Sequence, residues 1–299
     1  MRVRRLLAYA AIYFLWGGSF LGIREVVAVL PPFFAAAFRF FSAGTLLLVF
    51  ALLTSRKERA SGPFSLSGRE WRNVALLGLV LFVGDYACLF WAEQRIASGI
   101  ASVIAATIPV WIFAGEVFIL RTQRLAAWPM VGIALGFAGV VALTWDSVRG
   151  RSLGSFAGVL VALLGCLCWS AGTLLSRRLR LPASRVVNAG WQMAIGGAML
   201  FALSAATGEW GHLPHGVSLR AVVAMAYLIG AASIVAFTAY VWLLGHEPMG
   251  RVASYAYVNP VVALGLGAAL AGERLSAVEM AGSALVVMGV FATLRGKRG

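Results

Sequence analysis

The stretch SYAYVNPVVALGLGAALAG, residues 254–272, carries an Asn-Pro step inside an almost unbroken apolar segment. Proline removes one hydrogen bond of a helix and kinks it, so this segment would break as a helix in water. In lipid the kink is tolerated where neighbouring helices or water satisfy the freed carbonyl group. The stretch therefore predicts a membrane-spanning helix with a kink at Pro260.

The whole chain has the same apolar character. Of its 299 residues, 61% are hydrophobic and 12% are charged, which leaves too little polar surface to cover a soluble globule. A helix needs about 20 apolar residues to cross the hydrocarbon core. We therefore predict an all-α membrane protein without a soluble catalytic domain. Its ten transmembrane helices are expected near residues 5–23, 33–54, 73–91, 97–120, 129–145, 156–176, 186–207, 219–244, 250–272 and 276–294.

The basic residues are unevenly shared between the two sides of these spans. If the N-terminus is cytoplasmic, eighteen of the 25 lysines and arginines lie on the cytoplasmic side and six on the other. Such a bias sets the orientation of membrane proteins. It accounts for the net charge of +14 without a nucleic-acid partner. We expect a multi-pass protein of the inner (plasma) membrane with both termini in the cytoplasm.

The chain contains an internal repeat. FLWGGSFLGIRE from Phe14 aligns with LCWSAGTLLSRR from Leu167 at an offset of 153, which places Trp16 over Trp169. The same offset carries FRFFSAG onto WQMAIGG. IPVWIFAG aligns with NPVVALGL at an offset of 151, and QRLAAWPMVGIALGFAGV with ERLSAVEMAGSALVVMGV at an offset of 150. The nearly constant offset predicts two five-helix units, residues 1–150 and 151–299.

Five is an odd number, so the second unit must enter the membrane from the opposite side. Inverted repeats of this kind are typical of secondary transporters, whose substrate site lies near the midplane between the halves. Pro260 is then the counterpart of Pro109 in the fourth helix, and two matched kinks suggest two matched hinges. The alternative is that both prolines reflect only the greater frequency of proline in membrane helices.

These segments resemble the drug/metabolite transporter superfamily, within it the ten-helix branch of paired EamA-type repeats. The likeness covers essentially the whole chain and is carried by LWGGSFLGIRE, Arg39-Phe40, IPVWIFAGEVFIL, NPVVALGLGAALAGERLS and MAGSALVVMGV. It implies export of small metabolites, often amino acids and including aromatic ones in the YddG-like members. It also implies a cavity bounded by helices three, four, eight and nine with one and six. The first half departs from the pattern, since it has TQRLA at Thr122 where the second half has GERLS.

Aromatic and weakly polar side chains are expected near the midplane. Rings would contact an apolar side chain, while amides, hydroxyls and broken helix ends would meet the charged groups of a zwitterion. Each ring taken alone also fits ordinary packing. The candidate substrate-binding residues are Trp16, Tyr86, Trp111, Trp169, Gln192, Tyr240, Tyr257 and Asn259.

Two charged residues lie inside predicted spans, where a charge needs a partner or water. Arg39 and Asp85 each fall about six residues, or about 9 Å, from the outer end of a span. They are expected to pair or jointly to line a wet vestibule. Alternatively, Arg39 is an anchor that extends to the interface. A proton-carrying role for Asp85 is a further hypothesis.

The leading interpretation is a secondary exporter of amino acids or similar metabolites that works by alternating access. A multidrug or nucleotide-sugar transporter is the alternative. The cysteines Cys88, Cys166 and Cys168 fall inside spans and the histidines in loops, so no metal site or cofactor is expected. An intramembrane enzyme would need a catalytic cluster at depth, and none is visible. Apart from a small-molecule substrate and lipid, no partner is predicted, and proton coupling and oligomeric state are left open.

Overall fold

The computed structural model describes residues 2–54, 65–122, 127–146, 153–247, 252–272 and 276–295. Within these ranges the chain is helical and forms no strand. The long helical segments are α1 (Val3–Val27), α2 (Pro32–Thr54), α3 (Gly68–Glu93), α4 (Ser98–Ile119), α5 (Ala127–Asp146), α6 (Leu153–Ser176), α7 (Arg185–Ala206), α8 (Leu219–Leu244), α9 (Tyr255–Ala271) and α10 (Ala277–Arg295).

Each predicted span falls on one of these helices. Seven of them, all except α5, α9 and α10, are long and apolar enough to cross a membrane. The other three carry shorter apolar runs, which are Met130–Gly139, Val258–Ala271 and Met280–Gly289. The predicted all-α membrane fold is thus confirmed, and within the described residues seven of the ten spans meet the length and composition of a crossing helix.

Helices α2 and α7 cross at two glycines. A Cβ atom on Gly44 would meet the main chain of Gly190 and Ala194, and one on Gly197 would meet the main chain of Phe41. Residue numbers rise in one helix as they fall in the other, so the helices run antiparallel. At the repeat offset of 153, Gly44 corresponds to Gly197 and Phe41 to Ala194. The crossing therefore maps onto itself under a two-fold rotation.

Helices α5 and α10 form a second crossing of the same kind. A Cβ atom on Gly139 would lie 2.7 Å from the carbonyl oxygen of Gly282, and one on Gly289 would lie 2.6 Å from that of Gly132. At the repeat offset of 150, Gly139 corresponds to Gly289 and Gly132 to Gly282. The two close contacts are therefore related by the same symmetry. Small residues allow such close approach, which holds helices together in lipid through packing.

Several further helix contacts follow the same symmetry. Helix α6 packs on α3 and α4 as α1 packs on α8 and α9. Helix α7 packs on α3 as α2 packs on α8, and α4 contacts its own mate α9. Exchanging the first five helices for the last five reproduces this set. The chain forms two inverted five-helix repeats, with α1, α3 and α4 and their mates around the centre.

Helices α3 and α8 widen into π-helix in their middle, at Gly78–Ala87 and Leu228–Val235. These stretches overlap when one is shifted by the repeat offset. Helix α1 has a π-helical stretch at Ala11–Leu15, whereas its mate α6 is regular α-helix from Leu153 to Ser176. Such stretches often lie at functional sites. The two halves therefore share one irregularity and differ in another.

The helices that carry the predicted hinges are interrupted at different places. Helix α4 has a turn at Ala106 and Thr107 and resumes with Pro109 in its next turn. A turn at Ala253 and Ser254 precedes α9, and Pro260 lies inside that helix. The interruptions do not coincide at the offset of 151. Matched hinges at the two prolines stay a prediction.

Contacts between connecting segments define the two ends of the bundle. At one end Arg5 forms an ion pair of 3.1 Å with Glu247, and the Arg185 guanidinium lies beside Gly245 at the end of α8. We call this the basic end, because it holds Arg5, Arg177, Arg180 and Arg185. At the opposite end, the Glu209 carboxylate accepts hydrogen bonds from the main-chain N–H groups at 33 and 34.

Candidate functional site

Four aromatic rings from four helices meet at the centre of the bundle. The ring centroid of Trp16 lies 5.7 Å from that of Trp169, 5.1 Å from Tyr240 and 5.3 Å from Tyr255. The contacts with Trp169 and Tyr255 are edge-to-face, at 86° and 85°, an arrangement that aromatic pairs prefer. We refer to these four residues as the aromatic cluster. The two tryptophans matched by the repeat are thus in direct contact.

Not every polar atom of the aromatic cluster makes a hydrogen bond to the described part of the protein. The Trp16 indole donates to the carbonyl oxygen of Ala232, at 3.0 Å, in the π-helical stretch of α8. The Tyr240 hydroxyl shares a 3.0 Å hydrogen bond with Thr173. The Trp169 indole N–H is buried and makes no hydrogen bond to any part of the chain that the structure describes. A polar group at the centre is therefore available to a ligand or water.

A cavity of about 60 Å³ lies beside the cluster, and we refer to it as the core cavity. Three members of the cluster line it together with Tyr86 and Leu89. Its polar lining consists of Ser19, Asp85, Cys166 and Asn259. Among the described residues, no group of histidine, cysteine, aspartate or glutamate side chains is arranged to hold a metal ion. The lining is therefore aromatic with one carboxylate.

A second cavity of about 280 Å³ opens near the basic end, and we refer to it as the end cavity. Arg177 and Arg185 line it, as do Thr173, Gln192 and Tyr240. Tyr240 faces this space and also contacts the aromatic rings that line the core cavity. The aromatic cluster thus lies between a larger cavity and a smaller one.

Arg39 does not pair with Asp85. Its Nε atom donates to the Ser233 hydroxyl at 2.9 Å, and its guanidinium lies 4.6 Å from the ring centre of Phe40 and 5.1 Å from that of Tyr86. The side chain is fully buried, so it does not extend to the interface either. The expected pairing was wrong, because Arg39 donates to Ser233 of α8 and lies over the ring of Tyr86 instead of forming an ion pair with the Asp85 carboxylate.

Two predicted amide side chains line different cavities. Gln192 lines the end cavity and donates to the Asn188 side chain at 2.8 Å. Asn259 lines the core cavity. With its amide nitrogen turned toward α1, Asn259 donates to the carbonyl oxygens of Ile12 and Tyr13 at 3.1 and 2.8 Å. These carbonyls belong to the π-helical stretch of α1.

Another predicted site residue, Trp111, is not brought to the two cavities. Trp111 donates to the Thr107 hydroxyl at 3.1 Å and is absent from the linings of the core and end cavities. The side chain of Tyr257 lies outside the described residues. Tyr255 was missed, although it lines the core cavity. It precedes Asn259 by four residues and so shares its helix face, which is the signal that would have found it.

Comparison with known proteins identifies the family. Residues 5–145 and 156–295 each match the EamA-like transporter family. The chain belongs to this family. The superfamily resemblance predicted from the sequence is thereby confirmed, and the two matched segments correspond to the two halves of the fold.

Several relatives of this EamA-like chain are similar along nearly their whole length. The Escherichia coli (strain K12) protein named uncharacterized inner membrane transporter YedA is 35% identical, over 99% of this chain and 94% of its own. A Salmonella typhimurium protein named probable amino-acid metabolite efflux pump is 25% identical, over 95% and 92%. A solved crystal structure, 22% identical and covering 99% of both chains, superposes with a TM-score of 0.68. The superposition on this solved structure shows that the two proteins share a fold.

Family and fold together make this EamA-like chain a multi-pass transporter of the inner membrane. Its apolar helices lie in the bilayer, and its cargo is a small molecule.

Proposed function

We propose that the protein exports amino acids, above all those with aromatic or hydrophobic side chains, by alternating access between its two repeats. The observation that carries the proposal is the aromatic cluster, which stands between two cavities where the repeats meet. Rings at this place provide apolar contact for a side chain, and inverted repeats bind substrate where the halves meet. The name of the Salmonella relative supports the same class of cargo.

The difference between the two halves supports alternating access. Thr173, Ser176, Asn188, Gln192 and Val241 line the end cavity. At the repeat offsets, their counterparts in the first half are Phe20, Ile23, Ala35, Arg39 and Phe90. None of these counterparts lines the end cavity, and of the five only Phe20 lines the core cavity. The end cavity is thus formed by one half without an equivalent lining in the other. Exchange of the two conformations would open the opposite end.

The direction follows from the distribution of charge. We propose that the basic end, and with it both termini, lies in the cytoplasm, because lysine and arginine are retained on that side. The end cavity then faces the cytoplasm and loads cargo for export. Residues 1–150 and 151–299 are the units that exchange conformations. The interruption of α4 just before Pro109 supports a hinge there, and we propose the same role for Pro260.

Flux from proteoliposomes tests the proposed cargo. Labelled phenylalanine, tryptophan and leucine should leave the vesicles faster than aspartate or lysine, with and without a pH gradient. Empty vesicles provide the control. Rapid movement of cationic dyes with no flux of amino acids would replace the proposal with a multidrug transporter.

Labelling of introduced cysteines tests the proposed state. In a background in which Cys88, Cys166 and Cys168 are replaced by serine, Val241→Cys should react with a membrane-impermeant thiol reagent applied from the cytoplasmic side. Phe90→Cys, at the corresponding position in the first half, should be protected until cargo drives the exchange. Equal labelling of both positions from one side would refute the two-state interpretation.

A further inference from the structure

We propose that the core cavity binds the ammonium group of an amine-bearing substrate, with Asp85 as the counter-charge and the rings of Trp16, Tyr86 and Trp169 around it. The inference rests on the transport function proposed above and names the chemical group that the site recognises.

Asp85 is a carboxylate without a hydrogen-bonding or ion-pairing partner among the described residues, although the charge of Arg39 acts on it from beyond contact distance. It lies on the π-helical stretch of α3, is nine-tenths buried and lines the core cavity. The described residues give it neither a hydrogen bond nor an ion pair, since Arg39 is bound to Ser233. A buried charge is costly unless it is paired. A cation that enters the cavity supplies the missing pair.

A glycine of α6, Gly165, leaves room for the Asp85 carboxylate. A Cβ atom on Gly165 of α6 would lie 2.9 Å from Oδ1 of Asp85 and 3.2 Å from Cβ of Cys88. Alanine at this position would therefore press against the carboxylate. The absence of a side chain at Gly165 thus lets α6 lie against both the carboxylate and the main-chain oxygen of Asp85.

The rings provide the second part of cation recognition. Trp169 meets Trp16 at 86° and Tyr86 at 81°, so their planes form walls that stand nearly at right angles. Aromatic faces attract ammonium groups, and cages of several rings recognise alkylated ammonium ligands. A carboxylate beside such a cage favours a cation over a neutral or anionic group.

Arg39 does not oppose this preference from within the cavity. It is absent from the cavity lining, and its guanidinium faces the ring of Tyr86 at 5.1 Å. Tyr86 itself lines the cavity, so its ring lies next to both the guanidinium and the bound group. Among the described residues no lysine or arginine lines the core cavity, so none of them gives a substrate carboxylate a counter-charge there.

The size of the cavity limits what it holds. Its volume of about 60 Å³ is several times the roughly 10–15 Å³ that one water needs, which suits an ammonium group and the carbon next to it. The rest of the substrate would lie outside the core cavity, toward the ring of Tyr240. The amine is thus required for binding and the carboxylate is optional.

Three related probes separate these groups. Phenethylamine has the amine alone, 3-phenylpropanoate has the carboxylate alone, and phenylalanine has both. We expect calorimetry on the purified full-length protein in detergent to detect phenethylamine and phenylalanine and to detect 3-phenylpropanoate at least about tenfold more weakly. Stronger binding of 3-phenylpropanoate than of phenethylamine would overturn the proposal.

Matched variants assign the effect to Asp85. Asp85→Asn should weaken phenethylamine binding about ten- to hundredfold and leave the weak affinity for 3-phenylpropanoate unchanged or higher, whereas Asp85→Glu should restore part of the phenethylamine affinity. Gly165→Ala should weaken phenethylamine binding without removing a charge. Glu25→Gln is the control, because Glu25 is paired with Arg220 far from the cavity. A monodisperse elution profile shows that each variant is folded.

The outcomes distinguish this site from the transport proposal. Amine binding that depends on Asp85, combined with no flux of any amino acid, would retain the site and reject the export of amino acids. Flux of phenylalanine with equal phenethylamine affinity in the wild type and Asp85→Asn would retain transport and reject the ammonium site. Equal loss of all three probes in Asp85→Asn would also reject it, because that pattern indicates a structural role.

Discussion

Replacing Gly44 with alanine tests the two-fold crossing of α2 and α7. The added Cβ atom would lie 2.6 Å from the carbonyl oxygen of Gly190 and against the main chain of Ala194, neither of which can rotate away. Overpacking typically costs about 1–3 kcal/mol, and alanine recovers about 1 kcal/mol of helix propensity. Because main chain is the obstacle, we take the upper half of that range and expect a net loss of about 1–2 kcal/mol.

The symmetry adds a second condition. Gly197→Ala places a Cβ atom 2.7 Å from Cα of Phe41, which is the same clash from the other helix, so its cost should be similar. Gly265→Ala is the control, because that exposed helical position has no atom within 4 Å of the added carbon. Thermal unfolding in detergent should show a fall of about 2–8 °C for the first two variants and none for the third. Stability equal to that of Gly265→Ala, or a loss in only one of the pair, would refute the reasoning.

Three further predictions concern the centre and the end opposite the basic end. Tyr227→Phe removes a 2.8 Å hydrogen bond to the Leu15 carbonyl and should cost about 1 kcal/mol; an unchanged unfolding temperature would mean that this carbonyl is satisfied elsewhere. Trp169→Ala should sharply reduce phenylalanine flux while Trp169→Phe retains most of it, because a ring is kept; equal flux in the two would remove Trp169 from the pathway. Arg220→Glu should lower stability by less than about 1 kcal/mol, less still in 1 M salt, and adding Glu25→Arg should restore it; a double variant no better than the single one would argue against the 2.6 Å pair.

The spans and the repeat could be predicted because hydrocarbon imposes them directly. Each crossing needs an apolar run of fixed length, so 186–207 and 219–244 were predicted where the structure has Arg185–Ala206 and Leu219–Leu244. A contact between Trp16 and Trp169 follows from the repeat, because residues that lie close to a two-fold axis contact their symmetry-related counterparts.

Side-chain direction was not predictable in the same way. Depth in the membrane follows from distance to the end of a span, but depth says nothing about which neighbour a side chain faces. Arg39 and Asp85 were placed at similar depth, yet Arg39 is bound to Ser233 of α8. The π-helical stretches were missed too, since an inserted residue leaves no mark in an apolar run that has little periodicity. A π-helical stretch changes the side of the helix on which every following residue lies.

Asn259 has a consequence for the energy of the empty transporter. Its amide caps two main-chain carbonyls in the widened part of α1, but the corresponding residue of the other half is Ile108, which has no donor in its side chain. If the two halves exchanged conformations, no side-chain donor of residue 108 would replace that cap on α6. The two conformations of the transporter would therefore differ in free energy. Under the proposed mechanism, the unloaded transporter would rest with the end cavity open, and binding of cargo would have to supply this free-energy difference before release.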